Sequence, residues 1–544
     1  MTISSRISTN WRPALAGVLA LGLGLGTAEL VAGVLDRPAG SPVVAAAEWF
    51  IDVVPAWLAD LAITWFGTAD KLALGIGVAV VLALAGAGIG VLARHHRRAA
   101  LGVAAVLVVV ALLVVWSRRE TSSLDLAPSL AAGVVALPAL AWLAGLVERA
   151  APGGAPGPDT SVSGPDSSGT GRSGNSGPGD AGAFRQQVRA PSRRAFVTGA
   201  SATAALAALA AGAGRWMSAD RIGVESARDD LGVDVDLPAA DPPPDAELGI
   251  SGSEPWRTPN EDFYRIDTAF SAPSIRPEEW RLRIHGMVEQ ELELGYDDLV
   301  GMGLVDRWTT LTCVSNEIGG GLVGNALWTG VPIADVLDRA RPLPDADAVL
   351  STSHDGWTCG TPLEALTDER GSLFAVGMNG EPLPVEHGFP VRMVVPGLYG
   401  YVSATKWVVD LEVSRFDQFD AYWTTRGWAE RGPIKVSSRI DVPEDGARVG
   451  AGKVAVAGSA WAQQRGIEAV EVRVDAGPWI PARLGGVPND DTWRQWVYEW
   501  DATAGEHELE VRAVTADGET QTGDEAPPAP DGATGWHRIA VTVE

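Results

Sequence analysis

One of the chain's two cysteines, Cys313, stands where a strand-like run meets a glycine-rich loop: Trp308-Thr-Thr-Leu-Thr-Cys313-Val-Ser-Asn316-Glu317-Ile-Gly-Gly-Gly321. A thiolate is a nucleophile and a soft metal ligand. Glycines after it let backbone approach something bulky or anionic. Further along, His387-Gly-Phe-Pro-Val-Arg392 and Gly400-Tyr-Val-Ser403-Ala-Thr405-Lys406-Trp407 contribute cations, an imidazole and small hydroxyls. Such groups suit one phosphate and a polar heterocycle. Each fragment also has a structural reading: a lone cysteine packs as a small hydrophobe, and Arg392 closes a salt bridge. Cys359, in Trp357-Thr-Cys359-Gly360, is expected on a strand after the His354-Asp-Gly356 turn and in the core. A Cys313–Cys359 disulfide would compete with metal binding.

The elements that must hold these groups begin near Ile250. Trp280 to His285 alternates as a half-buried strand does. Tyr296–Val300 and Pro332–Ala340 have the pattern of short helices, whereas Phe389–Val395 and Lys406–Val413 are β-branched runs bounded by glycine and proline. The pattern breaks between Asp417 and Pro433. Short strands then follow at Lys453–Gly458, Ile467–Asp475, Trp493–Trp500, Glu506–Ala513 and His537–Val543. That spacing predicts an immunoglobulin-like β-sandwich without a cysteine pair.

Upstream the character changes. Residues 1–217 hold 16 basic and 12 acidic residues, and the remainder holds 26 and 56, a net −30 for 218–544 within −26 overall. So acidic a part repels a phosphate backbone, which excludes nucleic acid as a partner. Two cysteines exclude a disulfide scaffold and any Cys-rich zinc or iron–sulfur site. Apolar runs at Pro13–Leu35, Lys71–Leu92, Leu101–Trp116 and Leu124–Val147 approach the roughly 20 residues that cross a bilayer. Val43–Phe66 carries Glu48, Asp52, Pro55 and Asp60 with Trp49, Trp57 and Trp65, as an interfacial helix would. Arg6 and Arg12, and the Arg94–Arg98 cluster, place those ends in the cytoplasm; Arg118 and Arg119 conflict with that topology. No histidine lies within these apolar runs, so no transmembrane haem is expected. After a Gly/Ser/Pro-rich linker, Ser192-Arg193-Arg194-Ala-Phe196 and an alanine-rich run have the form of a twin-arginine export signal. The competing reading is the basic flank of an ordinary fifth span. Both place the acidic part outside the cytoplasm, on a cell membrane.

In this order and spacing, the segment from about Ser251 to Glu544 resembles the sulfite oxidase family of molybdenum–molybdopterin enzymes, and also that superfamily's periplasmic methionine-sulfoxide reductase subunit. The matching stretches are Pro259-Asn260-Glu-Asp-Phe263-Tyr264-Arg265, the Cys313 loop with Leu327-Trp328-Thr-Gly330-Val-Pro332, His387–Arg392, and Pro396–Trp407. Gly466–Val472 and Trp493–Trp496 match the family's dimerisation domain. The resemblance implies that Cys313 is the thiolate ligand of molybdenum. It implies that Asn260, Tyr264, Ser353, His387, Arg392, Ser403, Thr405 and Lys406 hold the pterin and its phosphate. The apolar runs, the Gly/Ser/Pro-rich composition and the paired arginines give four transmembrane helices within 1–150, a linker over 151–191, the arginine motif and fifth span over 192–217, and a connector over 218–249. A mixed α+β catalytic domain over 250–418 and a sandwich over 419–544 that can pair two chains complete the plan.

Two positions depart from the sulfite-oxidising pattern. Glu317 stands where that branch carries an arginine, and Trp428 stands where it carries a tyrosine. Both are candidate catalytic positions. The charge reversal points to a small neutral or cationic substrate, a sulfoxide or N-oxide rather than sulfite. With no haem-binding sequence, electrons are expected to pass through a separate protein. The competing classes are a metal-free, membrane-anchored interaction protein using its sandwich, and a thiol redox protein, against which the lack of a CxxC weighs.

Overall fold

The computed structural model describes residues 3–35, 40–54, 70–117, 123–149, 193–217, 224, 227–228, 231, 241–269 and 272–544. The chain divides into two compact units, Met1–Ala219 and Asp220–Glu544.

In the first unit, among the described residues, five helices are long and apolar enough to cross a membrane: Asn10–Val34, Ala73–His95, Arg97–Trp116, Ser123–Glu148 and Ala195–Gly214. A helix satisfies its backbone polar groups internally, as hydrocarbon demands. The third starts at Arg97, so Ala99 and Ala100 lengthen the short run that begins at Leu101. The first helix lies against three others through small residues. A Cβ on Gly17 would strike the backbone of Gly86 and Gly90, one on Gly24 would strike Ala132, and one on Gly26 would strike Ala207. Small residues allow this approach where helices have no hydrophobic drive to associate. Val80, Val81, Leu84, Val106, Val109 and Leu113 are exposed on the second and third helices, a face that lipid would cover. The Val43 stretch forms a helix over Pro42–Val53, capped at Ser41, whose hydroxyl accepts from Val44 N–H. At 12 residues it is too short to span. Its continuation through Trp57 and Trp65, the Arg118-Arg119 pair, the 151–191 linker and Ser192 lie outside the described residues, as does most of the 218–249 connector.

In the second unit, one sheet runs in the order Leu292–Gly295, Arg281–Gly286, Val408–Ser414, Ala348–Ser353, Thr358–Pro362. Leu282 and Ile284 are fully buried while Arg281 and Arg283 point out, the alternation of a one-sided strand. A second sheet runs Val305–Thr312, Val323–Pro332, Leu373–Met378, Glu381–Pro382, with Arg392–Val394 also paired to Leu373–Met378. Val305–Thr312 is therefore an edge strand, and it delivers Cys313 at its end. Helix Ile333–Ala340 buries Ile333, Val336, Leu337 and Ala340 as one stripe. The expected strand over Phe389–Val395 shrinks to Arg392–Val394. Pro390 has no N–H to give a ladder.

Beyond Pro433, two sheets enclose a second core that includes Val456, Val470, Val472, Trp496, Leu509, Val511, Ile539 and Val541. One sheet runs Ser437–Val442, Gly452–Trp461, Arg494–Ala502, Arg483–Leu484. The other runs Ala447–Val449, His537–Val543, Gly505–Thr515, Ile467–Val474, Ile480–Pro481. The five strands expected here are present. Ser437–Val442 is an additional one, hidden from a hydropathy pattern because it buries the polar Ser438 and Arg439.

Candidate functional site

Cys313 is buried and unpaired with Cys359. Its N–H donates to Leu322 O at 2.9 Å, Asn316 N–H donates to Cys313 O at 3.0 Å, and Leu322 N–H donates to Asn316 Oδ1 at 2.8 Å. The Asn316 side chain thus holds the loop closed around the thiol. Burial raises the thiol pKa, and hydrogen bonds from Ser315 oppose that. Ser315, exposed and without a sequence signal, is a neighbour that pattern reasoning missed. Cys359 is fully buried on Thr358–Pro362 with its pKa pushed up to about 11 by burial, the core role expected of it.

Asn260, Tyr264, His387 and Lys406 gather around a buried arginine. Arg392 is 5% exposed and donates to the carbonyls of His387 (3.1 Å) and Met393 (3.3 Å). Among the described residues no carboxylate lies within ion-pair distance of it. Its guanidinium lies 4.9 Å from the Trp328 ring, and burial lowers its pKa to about 10. Gly388, at φ +112°, allows this packing, since a Cβ there would meet Arg392 Cβ at 2.9 Å. His387 is neutral: burial first, then Arg392 and Lys406, bring its pKa down to about 3. Because Asn260 O only accepts, His387 Nε2–H donates to it at 3.2 Å. Phe263 stands edge-to-face to both His387 (5.6 Å) and Trp328 (5.7 Å). Gly324 makes room for it, where a Cβ would reach the ring at 2.7 Å.

Lys406 Nζ pairs with Asp267 at 2.7 Å, and Arg265 pairs with the same oxygen at 2.9 Å. Burial lowers the Lys406 pKa to about 8, against the raising effect of Asp267. Asp267, with a 5% exposed side chain, is the second residue the sequence reading missed. A third is Asn379. It adopts φ +54°, accepts from Leu327 N–H at 3.0 Å and donates to Asn260 Oδ1 at 2.8 Å, fixing the Asn260 side chain. Tyr264 is half-buried and stacks on Phe263 at 5.2 Å. Burial and Cys313 raise its pKa and Arg392 lowers it, so it stands within electrostatic reach of both.

The hydroxyls divide. Among the described residues, Ser353 Oγ is buried with no hydrogen-bond partner. Ser403 Oγ donates to the Leu398 and Tyr399 carbonyls and braces its own loop, whereas Thr405 Oγ1 bonds Ser351 Oγ at 2.7 Å and ties that loop to the strand Ala348–Ser353. Glu317 is exposed and has no ion pair among the described residues. Trp428 is half-buried against Tyr401 (5.9 Å) and Trp423 (6.2 Å). Among the described residues, neither shares a hydrogen bond or ring contact with the group around Arg392. Arg426 donates to Tyr422 O and lies over that ring.

Residues 269–423 match the oxidoreductase molybdopterin binding domain family. Asn260, Tyr264, Arg265, Asp267 and Trp428 lie just beyond that match. The chain is 31% identical over 357 residues to the mitochondrial sulfite oxidase of Macaca fascicularis, covering 56% of this chain and 64% of that protein. It is 32% identical over 153 residues to the uncharacterized oxidoreductase YuiH of Bacillus subtilis (strain 168), covering 28% of this chain and 74% of that one. The sulfane dehydrogenase SoxCD of Paracoccus pantotrophus superposes with a TM-score of 0.47 at 24% identity, over 53% of this chain and 83% of that one. The second unit therefore carries a molybdopterin-binding oxidoreductase domain. The chain belongs to the sulfite oxidase family of molybdenum-dependent oxidoreductases, and it spans 64% of the length of the mitochondrial sulfite oxidase it matches.

The residues present fit the family's molybdenum–molybdopterin cofactor. The thiol is free and buried, Ser353 Oγ is buried without a partner, and a buried arginine has no carboxylate among the described residues. Three cations, Arg265, Arg392 and Lys406, are opposed by one carboxylate, Asp267, an excess of positive charge that suits a phosphate.

Proposed function

We propose that Asp220–Glu544 is an extracytoplasmic molybdenum–molybdopterin oxidoreductase held on a membrane by the N-terminal helices, and that its substrate is a neutral or cationic sulfoxide or N-oxide rather than sulfite. The observation that carries the enzyme reading is the free, buried Cys313 thiol in the same domain as three cations facing one carboxylate. Cys313 is the thiolate ligand. Arg392 and Lys406 bind the phosphate with Arg265 at its outer side, and Asn260, Tyr264, Ser353 and His387 address the pterin. Ser403 and Thr405 shape the loop beneath. When bound, the cofactor supplies two-electron oxygen-atom transfer. The protein's own residues bind it, orient it and keep water from the thiol.

The substrate reading rests on charge. Glu317, next to the Asn316 that closes the cysteine loop, puts a carboxylate where the sulfite-oxidising pattern has a cation, and the −30 charge of 218–544 adds a repulsive field for anions. Trp428 offers an indole N–H and no hydroxyl to pass a proton. Electrons exchange with a separate protein. The boundaries that serve this plan are 250–418 for catalysis and 419–544 for an immunoglobulin-like sandwich able to pair two chains. Steady-state kinetics with artificial electron carriers test the reading. Sulfoxide or N-oxide reduction should exceed sulfite oxidation, and efficient sulfite turnover with a micromolar KM would make Glu317 a bystander.

A further inference from the structure

The strand that delivers Cys313 has its free edge covered by the sandwich. Thr310 N–H donates to Asp491 O at 2.9 Å, Gln463 Nε2 donates to Thr310 O at 2.9 Å, and Asn489 Nδ2 donates to Trp308 O at 3.1 Å. Trp493 N–H donates to Thr310 Oγ1 at 2.7 Å. An edge strand otherwise leaves these groups to water. The glycine loop after Cys313 is gripped the same way. Arg439 Nη1 donates to Gly320 O at 3.0 Å, while its Nε is bound to Asp441 at 2.7 Å, with side chains 6% and 5% exposed. The His537 imidazole fills the space beside Gly319, where a Cβ would come within 2.2 Å of Nε2, and His537 Nδ1 accepts Ile440 N–H at 3.0 Å. Ile318 meets Gly535, where a Cβ would approach its Cδ1 to 2.6 Å. Arg439, Gly535 and His537 all come from the sandwich or its connecting turns, and together they fix Ile318, Gly319 and Gly320.

We infer that Arg439, backed by Asp441 and accompanied by His537, is a positioning residue for the Cys313 loop: the sandwich sets the placement of the thiolate, in addition to any role in pairing chains. The inference rests on Cys313 being the metal ligand. Packing alone would bury an apolar side chain at 439. A buried guanidinium that spends one bond on a counter-ion and another on a loop carbonyl specifies a direction as well.

The test uses the full chain purified in detergent with its cofactor. Arg439→Lys keeps the charge beside Asp441 and loses the fixed fork that reaches Gly320 O. His537→Asn keeps an acceptor for Ile440 N–H and removes the ring from Gly319, and so serves where the lysine variant does not fold. Both should retain molybdenum and pterin at wild-type ratio and a wild-type KM. The Mo(V) electron paramagnetic resonance signal should change in g-values, with kcat down roughly 10–100-fold, the scale of a small misplacement of reacting groups. An unaltered Mo(V) signal and kcat in the variant that folds overturns the inference. So does a loss that tracks melting temperature with the signal unchanged. Cys313→Ser separates this from the parent reading: if it keeps molybdenum and turnover, the ligand assignment itself fails. If it loses both while the 439 and 537 variants match wild type, only the clamp fails.

Discussion

Lys406 and Arg392 meet different fates when the pH rises, because burial acts on groups of different intrinsic basicity. Lys406 has its pKa lowered to about 8 by burial, with Asp267 pulling the other way, whereas Arg392 falls only to about 10. The ammonium is therefore charged at neutral pH and discharges as pH climbs through about 8, while the guanidinium keeps its charge. A phosphate held by both should be retained less well from pH 7 to 9.5, and bound phosphate, by stabilising the ammonium, moves the loss toward the upper part of that range. Pterin retained after gel filtration across this series measures it. Lys406→Met should retain less pterin at pH 7 and show a flat profile. A variant whose profile parallels the wild type would remove Lys406 from the phosphate site. His387, neutral with its pKa near 3, should contribute no pH dependence over the same interval.

At the level of elements, the three central strands of one sandwich sheet carry their own electrostatic bond. Glu510, 2% exposed on Gly505–Thr515, accepts from Arg473 on Ile467–Val474 and from Arg538 on His537–Val543. Burial acts to raise the Glu510 pKa, and the two arginines outweigh it, so the net shift is downward. A carboxylate depressed in the folded state contributes stability that is fully present above its unfolded pKa, and that contribution disappears as pH falls through the folded value. Glu510→Gln should therefore cost about 1.5–3 kcal/mol at pH 7, the usual worth of hydrogen bonds to a charged group. The difference from wild type should narrow on acidification below about pH 4. Chemical denaturation at pH 7 and pH 3.5 reads this, and an equal deficit at both would show that Glu510 acts by shape alone. What could be read from the sequence follows the same division. His537–Val543 and Ile467–Val474 were legible because their apolar residues alternate toward one core. The strand bearing Arg439 was not, because two of its buried side chains, Ser438 and Arg439, are polar and reach the distant partners Gln521 and Gly320. Cys313, His387 and Arg392 were recognisable from local motifs. Asp267, Ser315 and Asn379 were not: their roles arise from contacts with Lys406, the thiol and Asn260 that no spacing encodes.

For the whole molecule the question is how an acidic oxidoreductase domain comes to share a chain with a set of span-length helices. Arg193 opens the helix Arg193–Met217, the last of the five long enough to cross a membrane. If the paired arginines direct export of a folded, cofactor-loaded domain, Arg193→Lys with Arg194→Lys keeps the charge that orients a span and loses the recognised pair. Protease accessibility in spheroplasts should then show Asp220–Glu544 retained in the cytoplasm with the first four helices still inserted. Unchanged exposure would mean an ordinary fifth span. Underneath every such experiment lies the claim that this chain is a molybdenum protein through Cys313. Elemental analysis of the purified full chain, with release and quantitation of the pterin, addresses it most directly. Wild type should carry about one molybdenum and one pterin per chain, and Cys313→Ser should keep pterin without stoichiometric molybdenum, since Arg392 and Lys406 remain. Wild-type protein that folds and never carries molybdenum, or a serine variant that keeps the metal and full turnover, would contradict it.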